Sequence, residues 1–409
     1  MFNINRGVNN EDLLTVNRAM VLQHLTHNGI CSRADLAKEI GLTQASISKI
    51  ISTLIEYDIV REVGYISGEM GRRSKGISLN FDTYKVIGVK LSRRSFSVGI
   101  FDIGGNDYDT YTEPFNDKQN ATDAIKKIRE VIFDFSKRAS GIVAIGIAVP
   151  GPYLKKKDRI AIMTEASGWE NISLYEAFSN IDDLPLFIEH DANSAAIAEW
   201  WFGNYKKNNG VMVYLLADEG IGAGIVVDGH VLSGAQGIAG EIGHVSIDVN
   251  GPRCGCGNYG CLEMYCSSLA FVKDCKQLLE QNRQSTLNKL YRLSADDIFD
   301  AAAEGDEFAK QMVSRAARFL GYGIVNIINA YDPCTIVIGN VMSHGGAAML
   351  KEIKAIVKER ILSSIYQNLT IRISSFRIDP VLYGASAIAA DQFLKNPSKF
   401  IKMKKPLVE

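Results

Sequence analysis

The chain has 409 residues, 46% hydrophobic and 22% charged, and its 45 Lys+Arg against 46 Asp+Glu leave a net charge of −1. This balance excludes global disorder and any global basic field, so a nucleic-acid contact would have to come from a local patch. No apolar run approaches the ~18–20 residues of a membrane helix and the N-terminus lacks a signal-peptide core, so a soluble, cytoplasmic chain without membrane contact is expected, of about two to three domains.

In the first 80 residues, Val16, Ala19, Met20, Leu22 and Leu25 form a loose helical stripe that stops near Asn28-Gly29. Ser32 caps a short helix, with Asp35 three residues on. After the Gly41-Leu42 turn, Thr43 caps a helix in which Ile47, Ile50, Ile51, Leu54 and Ile55 recur at helical spacing. The outer face of that helix is small and polar. Two short helices around a glycine turn describe a helix-turn-helix, with 59–66 as a small wing, so residues 1–66 form a winged DNA-binding domain. Gln44, Ser46, Ser48 and Lys49 are its base or phosphate candidates. Residues 1–80 hold nine Lys/Arg and eight Asp/Glu, so affinity must rest on placement and dimerisation. Residues 67–83 are Gly-rich and locally positive and read as a linker, in which Arg72 and Arg73 either stay solvated or enter a narrow minor groove.

From Tyr84 the pattern becomes α/β. Strands over 86–91 and 95–101 precede a helix over 121–138 and a buried strand over 142–149. A second cycle has a strand at 186–189, a helix at 192–202 and strands at 211–216 and 223–227. Later come a helix through 319–330, a strand at 335–338, a helix at 347–361, a strand at 370–373 and a helix at 385–394. The hairpins over 87–102 and 212–228 look like one unit used twice. Two hairpin-led lobes flanking a cleft are the plan of the actin-like (RNase H-like) sugar-kinase fold, here over 84–395. The basic stretch 396–409 reads as a solvated tail.

Seven cysteines, an odd number in a large chain, argue against a disulfide framework. His244, Cys254, Cys256 and Cys261 are spaced H-x9-C-x-C-x4-C. Four soft ligands with no open position make a structural zinc site, and Gly255, Gly257 and Gly260 would let the backbone aim three thiolates at one point. Cys31, Cys266, Cys275 and Cys334 are left over; Cys31, Cys275 and Cys334 read as core residues.

Gly251-Pro-Arg-Cys-Gly-Cys-Gly-Asn-Tyr-Gly-Cys-Leu-Glu263, preceded by Gly240-Glu-Ile-Gly-His244, resembles the signature of the ROK family of repressors and sugar kinases. Ala148–Pro152, Glu189-His-Asp-Ala-Asn193 and Ile338-Gly339 fall where that family has comparable motifs, and an N-terminal helix-turn-helix is the layout of its repressor branch. The wording around 248–252 and the Gly-Arg-Arg stretch looks most like the xylose repressors of Gram-positive bacteria. The resemblance implies that His244, Cys254, Cys256 and Cys261 hold zinc, and that Gly151, His190, Asp191, Glu241, His244 and Glu263 line a sugar site. Asp191 matches the kinase catalytic base. His190 stands where the kinases usually have Asn, and Ala166 stands near another expected Asn. The chemistry agrees: carboxylates accept from vicinal hydroxyls, and a metal-bound imidazole can offer its other N–H to a sugar. Asp191 is also placed to cap the helix after it.

The nucleotide elements of the family are altered. Its Asp-x-Gly-Gly-Thr phosphate turn is Lys90-Leu-Ser-Arg-Arg94 here; Asp102-Ile-Gly-Gly-Asn106 resembles it but lies one strand late and reads as a turn. The second phosphate turn is Asp218-Glu-Gly-Ile-Gly222, and the adenosine-region glycine pair is reduced to Gly339-Asn340. Sugar carboxylates without phosphate cradles predict binding without phosphoryl transfer, leaving Asp191 a vestigial base. The expected protein is a sugar-responsive repressor of a carbohydrate-utilisation operon. Its partners would be operator DNA and a small sugar or sugar phosphate, with homodimeric or tetrameric assembly. A sugar kinase with a DNA-binding arm, or a repressor controlled by a partner protein, are the alternatives.

Overall fold

The computed structural model describes residues 10–67, 73–115, 120–161, 168–203, 210–281, 284–376 and 379–401. The chain begins with helix α1 (Asn10–Asn28), the two-residue strand β1 (Cys31–Ser32), α2 (Arg33–Ile40) and α3 (Gln44–Glu56). The expected caps are present. Ser32 and Asp35 form a reciprocal capping box at α2, and the Thr43 side chain accepts from the Ser46 N–H at α3. Ile47, Ile50, Ile51 and Leu54 are buried, which leaves Gln44, Ser46, Ser48 and Lys49 exposed.

The wing is larger than the sequence pattern implies. Strand β2 (Val60–Ser67) pairs antiparallel with β3 (Arg73–Leu79), and β3 also pairs with β1, giving the order β1-β3-β2. Of the stretch that reads as a linker over 67–83, Ser67 and residues 73–79 are therefore sheet. Gly76, a linker glycine by its sequence setting, sits where a Cβ would lie 2.7 Å from Ile30 Cγ2 and 2.9 Å from Val63 Cγ2. Arg73 opens β3, exposed, opposite Ser67, whereas Arg72 lies outside the described residues.

The first lobe follows. Strands β4 (Lys85–Leu91), β5 (Ser95–Asp102) and β6 (Asp107–Pro114) form a meander, α4 (Ala121–Arg138) packs on it, and β7 (Ile142–Val149) runs parallel to β4. The short strands β8 (Tyr153–Leu154) and β9 (Arg159–Ile160) make a small ribbon. After α5 (Leu174–Phe178), strand β10 (Leu186–His190) completes a sheet of order β10-β7-β4-β5-β6. Helix α4 buries Ile128, Ile132 and Phe135 on one stripe. Asp102 closes the β5–β6 turn: Oδ1 accepts from the N–H groups of Gly104 (2.8 Å) and Asn106 (2.9 Å). Asp102–Asn106 is thus a turn, as its position one strand late implies.

The second lobe repeats the arrangement. Helix α6 (Asp191–Phe202) leads into the antiparallel pair β11 (Val211–Ala217) and β12 (Ile221–Val227), extended by β13 (His230–Val231). Then come α7 (Glu263–Cys266), α8 (Ser268–Leu279), α9 (Ala295–Ala303) and the 25-residue α10 (Glu307–Tyr331). Strand β14 (Thr335–Gly339) runs parallel to β11; after α11 (Gly346–Arg360) and α12 (Ser363–Tyr366), β15 (Thr370–Ile373) pairs parallel with β14. The sheet order is β13-β12-β11-β14-β15. Helix α13 (Pro380–Lys395) follows. Val213, Leu215, Ile225, Ile336 and Ile338 join Leu320, Ile324 and Ile327 of α10 in one buried cluster.

The chain divides into two compact units: Met1–Ala148 with Leu174–Ile188 and Ala385–Glu409, and Val149–Ser173 with Glu189–Gly384. The winged helix thus groups with the first lobe, and Tyr84 Oη donates to the Tyr57 carbonyl at 2.8 Å. The stretch from 396 is not wholly a solvated tail. Pro397 is buried, and Phe400 lies 5.6 Å from the Phe393 ring and 6.0 Å from the Phe187 ring. Residues 402–409 lie outside the described residues.

Asp306 caps α10. Its Oδ1 accepts from the Ala309 N–H at 3.0 Å, and its Oδ2 accepts from the Thr286 N–H (2.7 Å), Thr286 Oγ1 (2.8 Å) and Ser285 Oγ (2.9 Å). Burial acts to raise its pKa, but these bonds outweigh it and hold the carboxyl at about 2. Asp306→Ala is expected to cost about 1–2 kcal/mol in urea melts. The lowered pKa means that the stabilisation is full above about pH 4, the ordinary aspartate range, and is lost as pH falls through about 2.

Candidate ligand site and metal centre

All residues assigned to the ligand site lie in the second unit. Helix α6 starts where β10 ends, so β10 delivers His190 and α6 presents Asp191 as its first residue. The cap position is His190, whose side chain makes no cap bond. The reading of Asp191 as the N-cap is therefore replaced: its Oδ1 accepts from the adjacent Ala192 N–H at 2.6 Å and lies 3.1 Å from His190 Nε2.

A continuous string of carboxylates and imidazoles runs from there. His190 Nε2 is 3.8 Å from Glu241 Oε1, Glu241 Oε2 is 4.0 Å from His244 Nε2, and His244 Nδ1 is 3.3 Å from Glu263 Oε1. Burial pushes the Glu241 carboxyl up, opposed by His190 and His244 and reinforced by Asp191 and Glu263. Gly151 sits against the His190 ring, where a Cβ would come within 2.0 Å of Nε2 and 2.5 Å of Cδ2. The structure therefore brings together Gly151, His190, Asp191, Glu241, His244 and Glu263. Ala166 lies outside the described residues.

Lys155 is not legible in the sequence. Its Nζ donates to Glu189 Oε2 at 2.9 Å, and Glu189 Oε1 accepts from the His190 N–H (3.0 Å) and Asn193 Nδ2 (3.1 Å). This buried carboxylate braces the strand-to-helix junction. Nothing in the sequence separates Lys155 from the neighbouring Lys156 and Lys157.

The metal-ligand candidates converge. One ligand atom from each of His244, Cys254, Cys256 and Cys261 lies within 4.8 Å of all the others. Cys254 Sγ is 3.7 Å from His244 Nδ1, and Cys256 Sγ is 3.7 Å from Cys261 Sγ. A tetrahedron with Zn–S of about 2.3 Å has edges of about 3.8 Å, so this Cys3His set fits zinc. Burial pushes the Cys254 and Cys261 thiols up; a bound cation is what makes thiolates favourable there. A tight loop holds the set. The Cys254 N–H donates to Asn258 O (2.8 Å), and Ser246 bridges to Cys261. Gly257 and Gly260 have φ of 95° and 62°, which glycine alone adopts without strain. Gly255 has neither positive φ nor close neighbours, so of the three glycines it is the one the geometry does not require. Cys31 and Cys275 are buried, as expected of core residues, while Cys334 is half-buried.

Two of the turns that read as altered nucleotide elements are tied to each other. Asn340 Nδ2 donates to Asp218 Oδ2 at 3.3 Å, and Tyr214 Oη donates to Asn340 Oδ1 at 2.9 Å.

The profile of the ROK family matches residues 86–392, and that of a winged helix-turn-helix DNA-binding domain matches residues 16–61. The chain is 29% identical over 396 residues to the xylose repressor of Caldicellulosiruptor bescii, covering 94% of this chain and 98% of the relative. It is 30% identical over 374 residues to the DNA-binding transcriptional dual regulator NagC of Escherichia coli K12, covering 89% and 90%. A solved ROK family transcriptional regulator, a homologue of the E. coli MLC protein, matches with a TM-score of 0.80 at 28% identity, covering 94% and 97%. A ROK hexokinase from Thermus thermophilus matches with a TM-score of 0.60 at 25% identity, covering 75% and 97%, so the fold serves kinases as well as regulators. With its winged helix ahead of an actin-like kinase fold, the chain belongs to the ROK family.

Proposed function

We propose that this protein is a sugar-responsive transcriptional repressor whose kinase-like portion binds its effector without phosphorylating it. The observation that carries this reading is the unbroken string from Asp191 through His190, Glu241 and His244 to Glu263, in a chain that also carries a winged helix. Carboxylates and imidazoles so spaced accept from and donate to vicinal hydroxyls. A missing hydroxyl would leave a half-buried polar group unpaired, which gives strong discrimination. The effector is a small free or phosphorylated aldose; the xylose and NagC regulators among the relatives support that class.

Zinc held by His244, Cys254, Cys256 and Cys261 would be structural, supplying a fixed orientation for His244 and for the loop that leads to Glu263 at the start of α7. A homodimer would present two α3 helices to half-sites in the major groove, with Gln44, Ser46, Ser48 and Lys49 as contacts and the Arg72–Arg73 stretch towards the minor groove. Absence of phosphoryl transfer is supported by Lys90 in β4, where the kinases have Asp, and by the Asp218–Asn340–Tyr214 tie. Coupling of sugar to DNA of about 1–3 kcal/mol would suffice for regulation.

The test is calorimetry with xylose, glucose, N-acetylglucosamine and their phosphates, alongside gel shifts on DNA flanking the gene. One sugar is expected to bind and to change the shift. Asp191→Asn is expected to weaken that sugar about 100-fold or more, since two charge-assisted bonds disappear. ATP turnover is expected to stay at background with every sugar. Sugar-dependent turnover abolished by Asp191→Asn would overturn the reading in favour of a kinase, and silence across the panel would favour control by a partner protein.

A further inference from the structure

The winged helix carries a three-way ion contact among residues outside α3. Glu62 of β2 accepts from two cations at once: Oε1 from Arg33 Nη2 at 2.9 Å and Oε2 from Lys75 Nζ at 2.6 Å. The sheet register explains the convergence. Ser32 of β1 stands opposite Gly76 of β3, and Ile77 of β3 stands opposite Glu62 of β2. Arg33, the first residue of α2, is thereby brought to Lys75 on the wing. The contact is open to solvent, with side-chain exposures of 31% for Arg33, 32% for Glu62 and 55% for Lys75. An exposed pair of this kind is held weakly and exchanges readily.

One carboxylate with an oxygen on each of two cations has the charge and bite of a phosphodiester group. The cations come from the start of the first helix of the helix-turn-helix and from the wing, the elements that border a recognition helix along the duplex backbone. In residues 1–80 Lys and Arg outnumber Asp and Glu by only one, so the charge of the two cations exceeds the net charge of the whole stretch.

We propose that Arg33 and Lys75 form a phosphate-backbone site of the DNA-binding head, and that Glu62 is its built-in competitor, displaced when a DNA phosphate takes its place. This rests on the DNA-binding reading above. Glu62 then lowers affinity for every duplex by the same factor and keeps a barely basic head off non-specific DNA at cellular salt.

The test uses the full-length protein, a duplex recovered by selection from a random library and a scrambled duplex of equal length, with anisotropy titrations across a salt series. Glu62→Gln is expected to bind both duplexes about 10-fold tighter. Arg33→Ala with Lys75→Ala is expected to weaken both and to make the slope of log affinity against log salt shallower by about one for each DNA-bound head, the single phosphate that the head no longer neutralises. The proposal is overturned if Glu62→Gln, with an unchanged melting temperature, binds no tighter than wild type, or if its gain is confined to the selected duplex. Should Glu62→Gln melt early, the double variant decides, and wild-type affinity and slope in it sink the idea. A wild-type chain that selects no duplex removes the DNA-binding reading itself, and this proposal with it.

Discussion

The Cys256→Ser variant is expected to lose the proposed zinc and to bind the proposed sugar effector at least 100-fold more weakly, while its winged helix still folds. Cys256 is the informative position because it is exposed, whereas Cys254 and Cys261 are buried; serine there removes a ligand without opening a core cavity. Outer-shell partners of a metal site alone are worth about 10–100-fold, so loss of a ligand should do at least as much. The damage reaches the sugar through His244 and Glu263. His244 Nδ1 lies beside Cys254 Sγ and Glu263 Oε1 while Nε2 faces Glu241, so a ring freed from the ion no longer holds either carboxylate in register. Elemental analysis should find one zinc per wild-type chain and almost none in the variant. A strong chelator should reproduce the effect in wild type, with recovery on adding zinc back. A metal-free preparation that stays folded and binds sugar normally would remove the metal from the account.

Gly151→Ala is expected to abolish measurable sugar binding with little change in DNA affinity. A methyl at 151 would lie 2.0 Å from His190 Nε2, 2.5 Å from Cδ2 and 3.0 Å from Cε1, across the ring. The ring is buried and must leave its place, ending its contacts with Asp191 at 3.1 Å and Glu241 at 3.8 Å. Removing several charge-assisted interactions together predicts a drop of about 1,000-fold or more. The added partner His190→Ala opens the space again. If displacement of the ring is the cause, the double variant should bind no more weakly than His190→Ala alone, and melting temperatures of all three variants separate displacement from unfolding.

How well the sequence can be read depends on how one-sided each element's burial is. Helix α4 is legible to the residue, since Asn120 caps it and Ile128, Ile132 and Phe135 share a stripe. Strand β6 is not, because none of its positions is buried on either face; its sequence, DYDTYTEP, carries no apolar alternation. Strand β3 reads as a linker on the strength of its glycine and its charges. Gly76 is there for close packing on Ile30 and Val63, and Lys75 for an ion contact, neither of which leaves a local pattern. In the candidate site, the Cys/His spacing announces the cluster because its four residues lie within 18 residues of sequence. Lys155 and Glu189 pair over a separation of 34 residues, which no local rule reaches.

Helix α6 has almost nothing between its backbone and its neighbours. A Cβ on Gly224 would fall 2.1 Å from the Ala192 carbonyl and one on Gly384 1.9 Å from the Ser194 carbonyl, while Glu199, fully buried, is pinned by Arg372 at 2.7 Å. At these two points main chain rests on main chain, so no side chain there can repack if the helix drifts. Laboratory evolution towards a new inducer should therefore find its successful changes around 241 and 263, outside this helix, and selections aimed at tilting or sliding it should return only misfolded clones.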